Sequence, residues 1–266
     1  MKKIILSFIA LIFTLSINAQ LDRSVMPVGG PSPKIKLDKP KEFKLKNGIR
    51  VLVVENHKLP RINYSLRFDR KPVVEGEKTG VISLLGSMLG NGTTSITKDD
   101  FNEEVDFLGA GINVGFGSGF AFTLTKNNER VLELFSDAVI NPLLTEEEFE
   151  KEKDKLIEGL KSQKKDIDAI SGRVGDALSY GKTHAYGEFI SEQTIDNIKF
   201  EDILEYHAKY FIPNNVYIVV IGDVNYKEVK SLISEKFGTW KKGKSINDPE
   251  PCLLYTSDAA DEQQRV

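Results

Sequence analysis

The chain has 266 residues, 40% of them hydrophobic and 28% charged, values that exclude a disordered or low-complexity protein and suit one large or two small domains. Its 36 basic and 39 acidic residues are well mixed and leave a net charge of −3, which excludes the electrostatic footprint of a nucleic-acid or acidic-membrane binder. One cysteine, Cys252, rules out an internal disulfide, and the widely separated His57, His184 and His207 offer no local zinc-binding pair.

In chain order, Lys2 and Lys3, an apolar run from Ile4 to Ile17 and the small residue Ala19 spell a secretory signal peptide over residues 1–19. The run is shorter than the roughly 20 residues of a membrane-spanning helix, so the expectation is an exported, periplasmic protein with no membrane span after signal cleavage. Pro27, Pro31, Pro33 and Pro40 make residues 20–40 an extended leader. Phe43 to Lys46 and Arg50 to Glu55 then read as a hairpin, with Asn47-Gly48 supplying the positive φ angles of a two-residue turn. Ile62 to Phe68 alternates as a third strand.

The stretch Thr79 to Thr93, TGVISLLGSMLGNGT, carries a helical core face at Val81, Leu84, Leu85 and Met88. A second stripe with the same spacing, Ser83, Gly86, Ser87 and Gly90, holds only small side chains. Glycine inside a helix costs roughly 1 kcal/mol against alanine, so this stripe marks either a close approach or a loss of something larger.

Thr97 opens a further helix as a cap. Gly111 to Phe116 and Gly119 to Lys126 read as strands of unusual glycine density, consistent with a bulged hairpin or with a backbone that another chain approaches closely. A helix from Glu129 to Ile140 stops at Asn141-Pro142, and Thr145-Glu146-Glu147-Glu148 reads as a capping box opening a long helix. Helices from Ile167 to Tyr180, Phe200 to Phe211 and Tyr226 to Phe237, with a buried strand from Val216 to Ile221, complete the pattern.

These segments resemble the insulinase/pitrilysin metallopeptidases, inverzincins whose helix runs TGLAHFLEHMLFKGT and whose H-x-x-E-H binds zinc and supplies the base. Thr79, Gly80, Met88, Gly92 and Thr93 keep that frame, while the first histidine falls on Ser83, the glutamate on Gly86 and the second histidine on Ser87. The family's third ligand ends the motif ERxVVLEEI, and here EKDKLIEGL, Glu152 to Leu160, places Gly159 there. Glu158 lies one residue off, about 100° around the helix. HAYGE (His184 to Glu188), YFIPNNVYIVVIGDV (Tyr210 to Val224) and FGTW (Phe237 to Trp240) are similar to the family's HPYG, YxPxNMxLVVVGD and FGxW. His184 is a matching point there and not a ligand.

The resemblance covers about Pro33 to Trp240. It implies an α+β fold, a mixed, mostly antiparallel sheet of about six strands packed against helices, over residues 41–245, with a non-domain tail at 246–266. Within that tail CLLYTSDAADEQQRV, 252–266, reads as an artefact, and a second, similar half is expected to be missing. Zinc is the cofactor of active relatives; with Ser83, Gly86, Ser87 and Gly159 in the family's positions, no catalytic residue, no metal ligand and no cofactor is expected. The family's LGAxxNAxT edge strand, which pairs with substrate peptide, stands here as LGAGINVGF, giving Gly111, Ile112, Asn113, Val114 and Gly115 as the substrate-binding strand. The preferred reading is the non-catalytic subunit of a two-chain exported peptidase, partnered by a zinc-bearing subunit of the same family and a peptide. A degenerate scaffold that handles no peptide is the alternative; an active zinc metalloendopeptidase stands third, because no other His/Glu cluster is visible.

Overall fold

The computed structural model describes Gly30 and residues 39–244. The signal-peptide reading, nearly all of the leader and the tail from 245 lie outside the described residues. No helix among the described residues is long and apolar enough to cross a membrane.

Period-two burial builds the sheet. Its strands are β1 (Lys41–Lys44), β2 (Arg50–Glu55), β3 (Arg61–Phe68), β4 (Gly111–Val114), β5 (Ser118–Leu124) and β6 (Val216–Gly222). Along β3, Ile62, Tyr64 and Leu66 point inward, and Ile218 and Val220 do the same on β6. The spatial order is β1-β2-β6-β3-β5-β4, with β2 and β6 parallel and every other pairing antiparallel. This is the mixed, mostly antiparallel six-stranded sheet anticipated from the sequence, and β4 lies at its edge.

The helices are α1 (Val81–Met88), α2 (Lys98–Phe107), α3 (Asn128–Ile140), α4 (Glu146–Gln163), α5 (Ile167–Tyr180), α6 (Glu192–Asp196), α7 (Phe200–Tyr210) and α8 (Tyr226–Gly238). On the inner face of the sheet α3 meets β5 and α8 meets β2, and the two helices touch through Phe135 and Phe237, ring centroids 6.2 Å apart. Both rings are fully buried, so the core sits between this helix pair and the sheet. Further out, α1 packs against α4 and α7. The short α6 had no counterpart in the sequence reading; one turn of helix carries too little periodicity to register.

Three local readings are corrected. The hairpin does not turn on a two-residue loop: β1 ends at Lys44, only Gly48 takes positive φ, at 110°, and Leu45–Ile49 form a longer loop closed by Gly48 N–H to Leu45 O and Leu45 N–H to Ile49 O. Asn47 serves elsewhere, donating from Nδ2 to the carbonyls of Phe237 at 2.8 Å and Trp240 at 3.1 Å. The Phe237 carbonyl lies in the last turn of α8 and also accepts from Trp240 N–H at 3.3 Å, so it is the Trp240 carbonyl, just beyond the helix, that loses its donor, and a buried acceptor left without one costs about 1–3 kcal/mol. Asn47→Ala is therefore expected to destabilise the chain by that amount, read as a lower denaturant midpoint at unchanged slope. Asn47→Asp should be no better, because it turns a carboxylate toward carbonyl oxygens.

The second correction concerns the reading of Thr145 to Glu148 as a capping box, of which only half forms. Thr145 accepts from Glu148 N–H, but the Glu148 carboxylate pairs with Lys98 and ties the start of α4 to the start of α2. Third, α1 ends at Met88, so Gly90 is no part of its small-residue stripe. Gly90 has φ 73°, and a Cβ there would lie 3.0 Å from the Val114 nitrogen, which makes it a turn residue pressed against β4.

Candidate functional site

The site is organised around the N-terminus of α1. A helix start leaves backbone N–H groups without partners, and the residue before it, Gly80, has φ 116° and no side chain to offer. Glu75 supplies the acceptor, taking hydrogen bonds from Gly80 N–H at 3.1 Å and Ile82 N–H at 2.8 Å. Glu188 in turn accepts from Glu75 N–H at 2.9 Å and Gly76 N–H at 2.8 Å. Burial raises the pKa of Glu75, while the amides of α1 favour its charged form. The HAYGE segment thus acts through Glu188, two steps removed from the helix it positions. His184 stays local: its Nδ1 accepts from Tyr186 N–H and its ring stacks on Tyr180.

On α1 itself Val81, Leu84, Leu85 and Met88 are buried, as their spacing dictates. Ser83 and Ser87 are exposed, and the Ser87 hydroxyl donates to the Leu84 carbonyl at 2.8 Å. Gly86 is half-buried; a Cβ there would stand 3.9 Å from the Phe116 nitrogen, so this face of α1 looks toward the chain leaving β4. Gly159 lies on α4, the helix packed against α1, with no atom within 4 Å of where its Cβ would stand. Neighbouring Glu158 is exposed, and Glu152 is held by Lys155 at 2.6 Å.

Catalytic zinc needs three protein ligands, an open position for water and a base. Serine hydroxyls at two of the four family positions and no side-chain donor at the other two do not meet that demand. Among the described residues no group of three or more His, Cys, Asp or Glu side chains is placed to hold a metal ion. The residues present do not fit zinc.

The proposed peptide strand, Gly111 to Gly115, runs along β4 and one residue past it. Gly115 N–H bonds to Ser118 O at 2.8 Å, and antiparallel alternation then turns the main-chain groups of Asn113 and Gly111 toward β5 and those of Ile112 and Val114 outward. Val114 is buried, with its nitrogen against Gly90; Ile112 is half-buried and Asn113 exposed. The glycines have internal causes. A Cβ on Gly111 would fall 2.3 Å from the Phe122 ring and one on Gly119 2.9 Å from the Phe135 ring, so aromatic side chains of this chain already fill the space beside both.

One buried group escaped the sequence reading. His207 on α7 stacks on Phe211 at 4.7 Å, and its Nε2 is buried with no hydrogen-bond partner. Burial lowers its pKa to about 4. A lowered pKa means that the folded state disfavours the proton, so this contribution is full above the unfolded value near 6.5 and is lost as the pH falls toward 4. The loss amounts to up to about 3 kcal/mol. His207→Phe is expected to flatten the stability profile between those two pH values, measured by thermal unfolding at each pH.

Comparison with known proteins places these features. The family description "Peptidase M16 inactive domain" matches residues 197–266. An uncharacterized zinc protease of Rickettsia felis is 24% identical over 216 residues, covering 77% of this chain and 51% of that protein. The mitochondrial-processing peptidase subunit beta of Rattus norvegicus is 25% identical over 201 residues, covering 73% of this chain and 41% of that one. The crystal structure of a peptidase M16 inactive domain from Pseudomonas fluorescens superposes with a TM-score of 0.71 at 23% identity, over 80% of this chain and 54% of that one. The chain spans about half the length of the curated relatives it matches.

Proposed function

Because this chain is a homologue of the insulinase/pitrilysin-type peptidases, we propose that it is the non-catalytic member of a two-chain exported peptidase, partnered by a zinc-bearing subunit of that family. The carrying observation is a scaffold kept without its chemistry. Glu75 and Glu188 still fix α1, and α1 still packs on α4, yet Ser83, Gly86, Ser87 and Gly159 offer neither ligands nor a base. The name of the similar rat protein, one subunit of a processing peptidase, supports a paired arrangement. The basic and apolar residues before Ala19 support export to the periplasm.

In this reading the chain contributes a peptide-holding edge. β4 ends the sheet, and an edge strand can pair with an extended peptide through main-chain hydrogen bonds. Ile112 presents its N–H and C=O to the open side, and Gly111, Asn113, Val114 and Gly115 set the shape of the strand. The test is Ile112→Pro, which deletes one outward N–H and leaves the bonds to β5 intact. With the partner reconstituted, peptide capture is expected to weaken about tenfold while the melting temperature of the complex changes little. Unchanged capture would reject the strand.

A scaffold that takes no peptide is the second reading. The internal causes of Gly111 and Gly119 favour it, since their lack of side chains is then no provision for a guest.

A further inference from the structure

Arg70 is a half-buried cation without an anion. It follows β3 by two residues, and its guanidinium lies over the Phe116 ring, 3.7 Å from the centroid, with the rings of Phe68 and Tyr210 at 5.0 and 5.5 Å. Two of its N–H groups are spent on main-chain carbonyls, Tyr210 O at 3.0 Å, where α7 ends, and Phe116 O. Among the described residues no carboxylate forms an ion pair with it. Arg130 makes the contrast: Glu104 closes its fork at 2.6 and 2.7 Å, and Glu133 adds a third bond at 3.0 Å. Buried charges in proteins are paired, because an unpaired one loses its hydration with nothing in return. At Arg70 that loss appears as a pKa lowered by burial to about 10.

The aromatic faces hold the guanidinium plane and the two carbonyls fix its rotation, so the remaining N–H groups are set in place for an acceptor. Their position is informative too. Phe116 comes two residues after β4, and its nitrogen is the atom 3.9 Å from where a Gly86 Cβ would stand. A single residue therefore separates Arg70 from the emptied face of α1, at the end of the edge strand. We propose that Arg70, with Phe116 and Tyr210, forms a carboxylate-binding site, taken by an acidic side chain or the C-terminal carboxylate of a peptide that lies along β4. A planar fork of donors matches the two oxygens of a carboxylate, which lysine does not. This site rests on the peptide-holding reading of β4 and adds a chemical preference to it. At about 3.3 Å per residue, the stretch from Ile112 to Phe116 spans roughly 13 Å, so the carboxylate belongs roughly four residues from the one that pairs with Ile112.

Nuclear magnetic resonance on the whole chain separates the two readings. The Ile112 amide N–H reports pairing at the edge, and the Arg70 Nε–H, assigned through its own side-chain carbons, reports the carboxylate. Three versions of one extended, acetylated peptide are compared: glutamate near one end with an amidated C-terminus, glutamine there with a free C-terminus, and glutamine with an amide. At millimolar peptide the Arg70 signal is expected to move with the first or the second, which names the source of the carboxylate, and to stay still with the third. Arg70→Lys should weaken binding of the carboxylate-bearing peptide at least about tenfold, read at Ile112, and leave that of the third unchanged. The comparison of peptides uses the parent chain, so it holds whatever Arg70→Lys does to stability. An Arg70 signal that no peptide moves, or that all three move alike, overturns the proposal; if Ile112 shifts in those same titrations, the edge-strand reading survives it. Movement at Arg70 with Ile112 still would uphold the carboxylate site and reject β4 as the path of the peptide.

Discussion

The chain is expected to bind no stoichiometric zinc, and its variant carrying Ser83→His, Gly86→Glu, Ser87→His and Gly159→Glu to bind it at least about a hundredfold better. The structure makes the second half of this result attainable. Ser83 and Ser87 are exposed on one side of α1, a Cβ at Gly86 meets ordinary contact at 3.9 Å, and at Gly159 it meets nothing within 4 Å. The first atom of each new side chain therefore meets no clash, and α1 already lies against α4. Elemental analysis after dialysis and competition with a chromophoric chelator give the two readings. One zinc per parent chain would defeat the assignment of the emptied positions. A quadruple variant that folds as the parent does and binds zinc no better would show that α1 and α4 do not aim these positions at one point. Cleavage is not expected from the variant, since a productive metal site also needs outer partners that orient its ligands.

Gly222→Ala is expected to cost more than about 3 kcal/mol, combining the strain of a side chain at positive φ with overpacking that cannot relax. Gly222 ends β6 at φ 144°, paired with Ile62, and a Cβ there would lie 2.1 Å from the Arg61 carbonyl oxygen and 2.8 Å from the Ile62 Cα. Both neighbours are backbone in the centre of the sheet, where nothing can swing aside. Its own carbonyl also accepts from Asn56 N–H and Val224 N–H, which fixes the conformation. Loss of soluble protein, or a melting temperature lowered by many degrees, is the predicted readout. Gly159→Ala makes the contrast: mid-helix, with open space around it, it should stabilise the chain by roughly 1 kcal/mol. If Gly222→Ala melted with the parent, β6 and β3 would not approach as closely as described.

The sequence by itself determined those features that repeat over a few residues. Val81, Leu84, Leu85 and Met88 are one buried face because side chains three and four apart on a helix lie together. The threonine caps at Thr97 and Thr145 act on the amide three residues on, a distance the chain sets locally. The identities at Ser83, Gly86, Ser87 and Gly159 likewise say what chemistry the helices lack wherever they pack.

Tertiary structure alone decided the pairings across long stretches of chain. Asn47 looked like half of a turn because its neighbour is glycine, yet its amide closes a helix 190 residues on, a partner no spacing encodes. Glu75 carries no signal in the sequence and Glu188 stands there only as the end of HAYGE; folding brought both to one helix start, where unpaired backbone amides need an acceptor. The glycines of β4 and β5 fitted either a bulged hairpin or a close approach by another chain, and the rings of Phe122 and Phe135, brought in by pairing and packing, account for Gly111 and Gly119 from within this chain. The stripe on α5 has the same helical periodicity as that on α1, yet among the described residues one is buried and the other exposed. Amphipathic pattern tells which face seeks cover; only the arrangement of the other elements determines whether the described residues provide it.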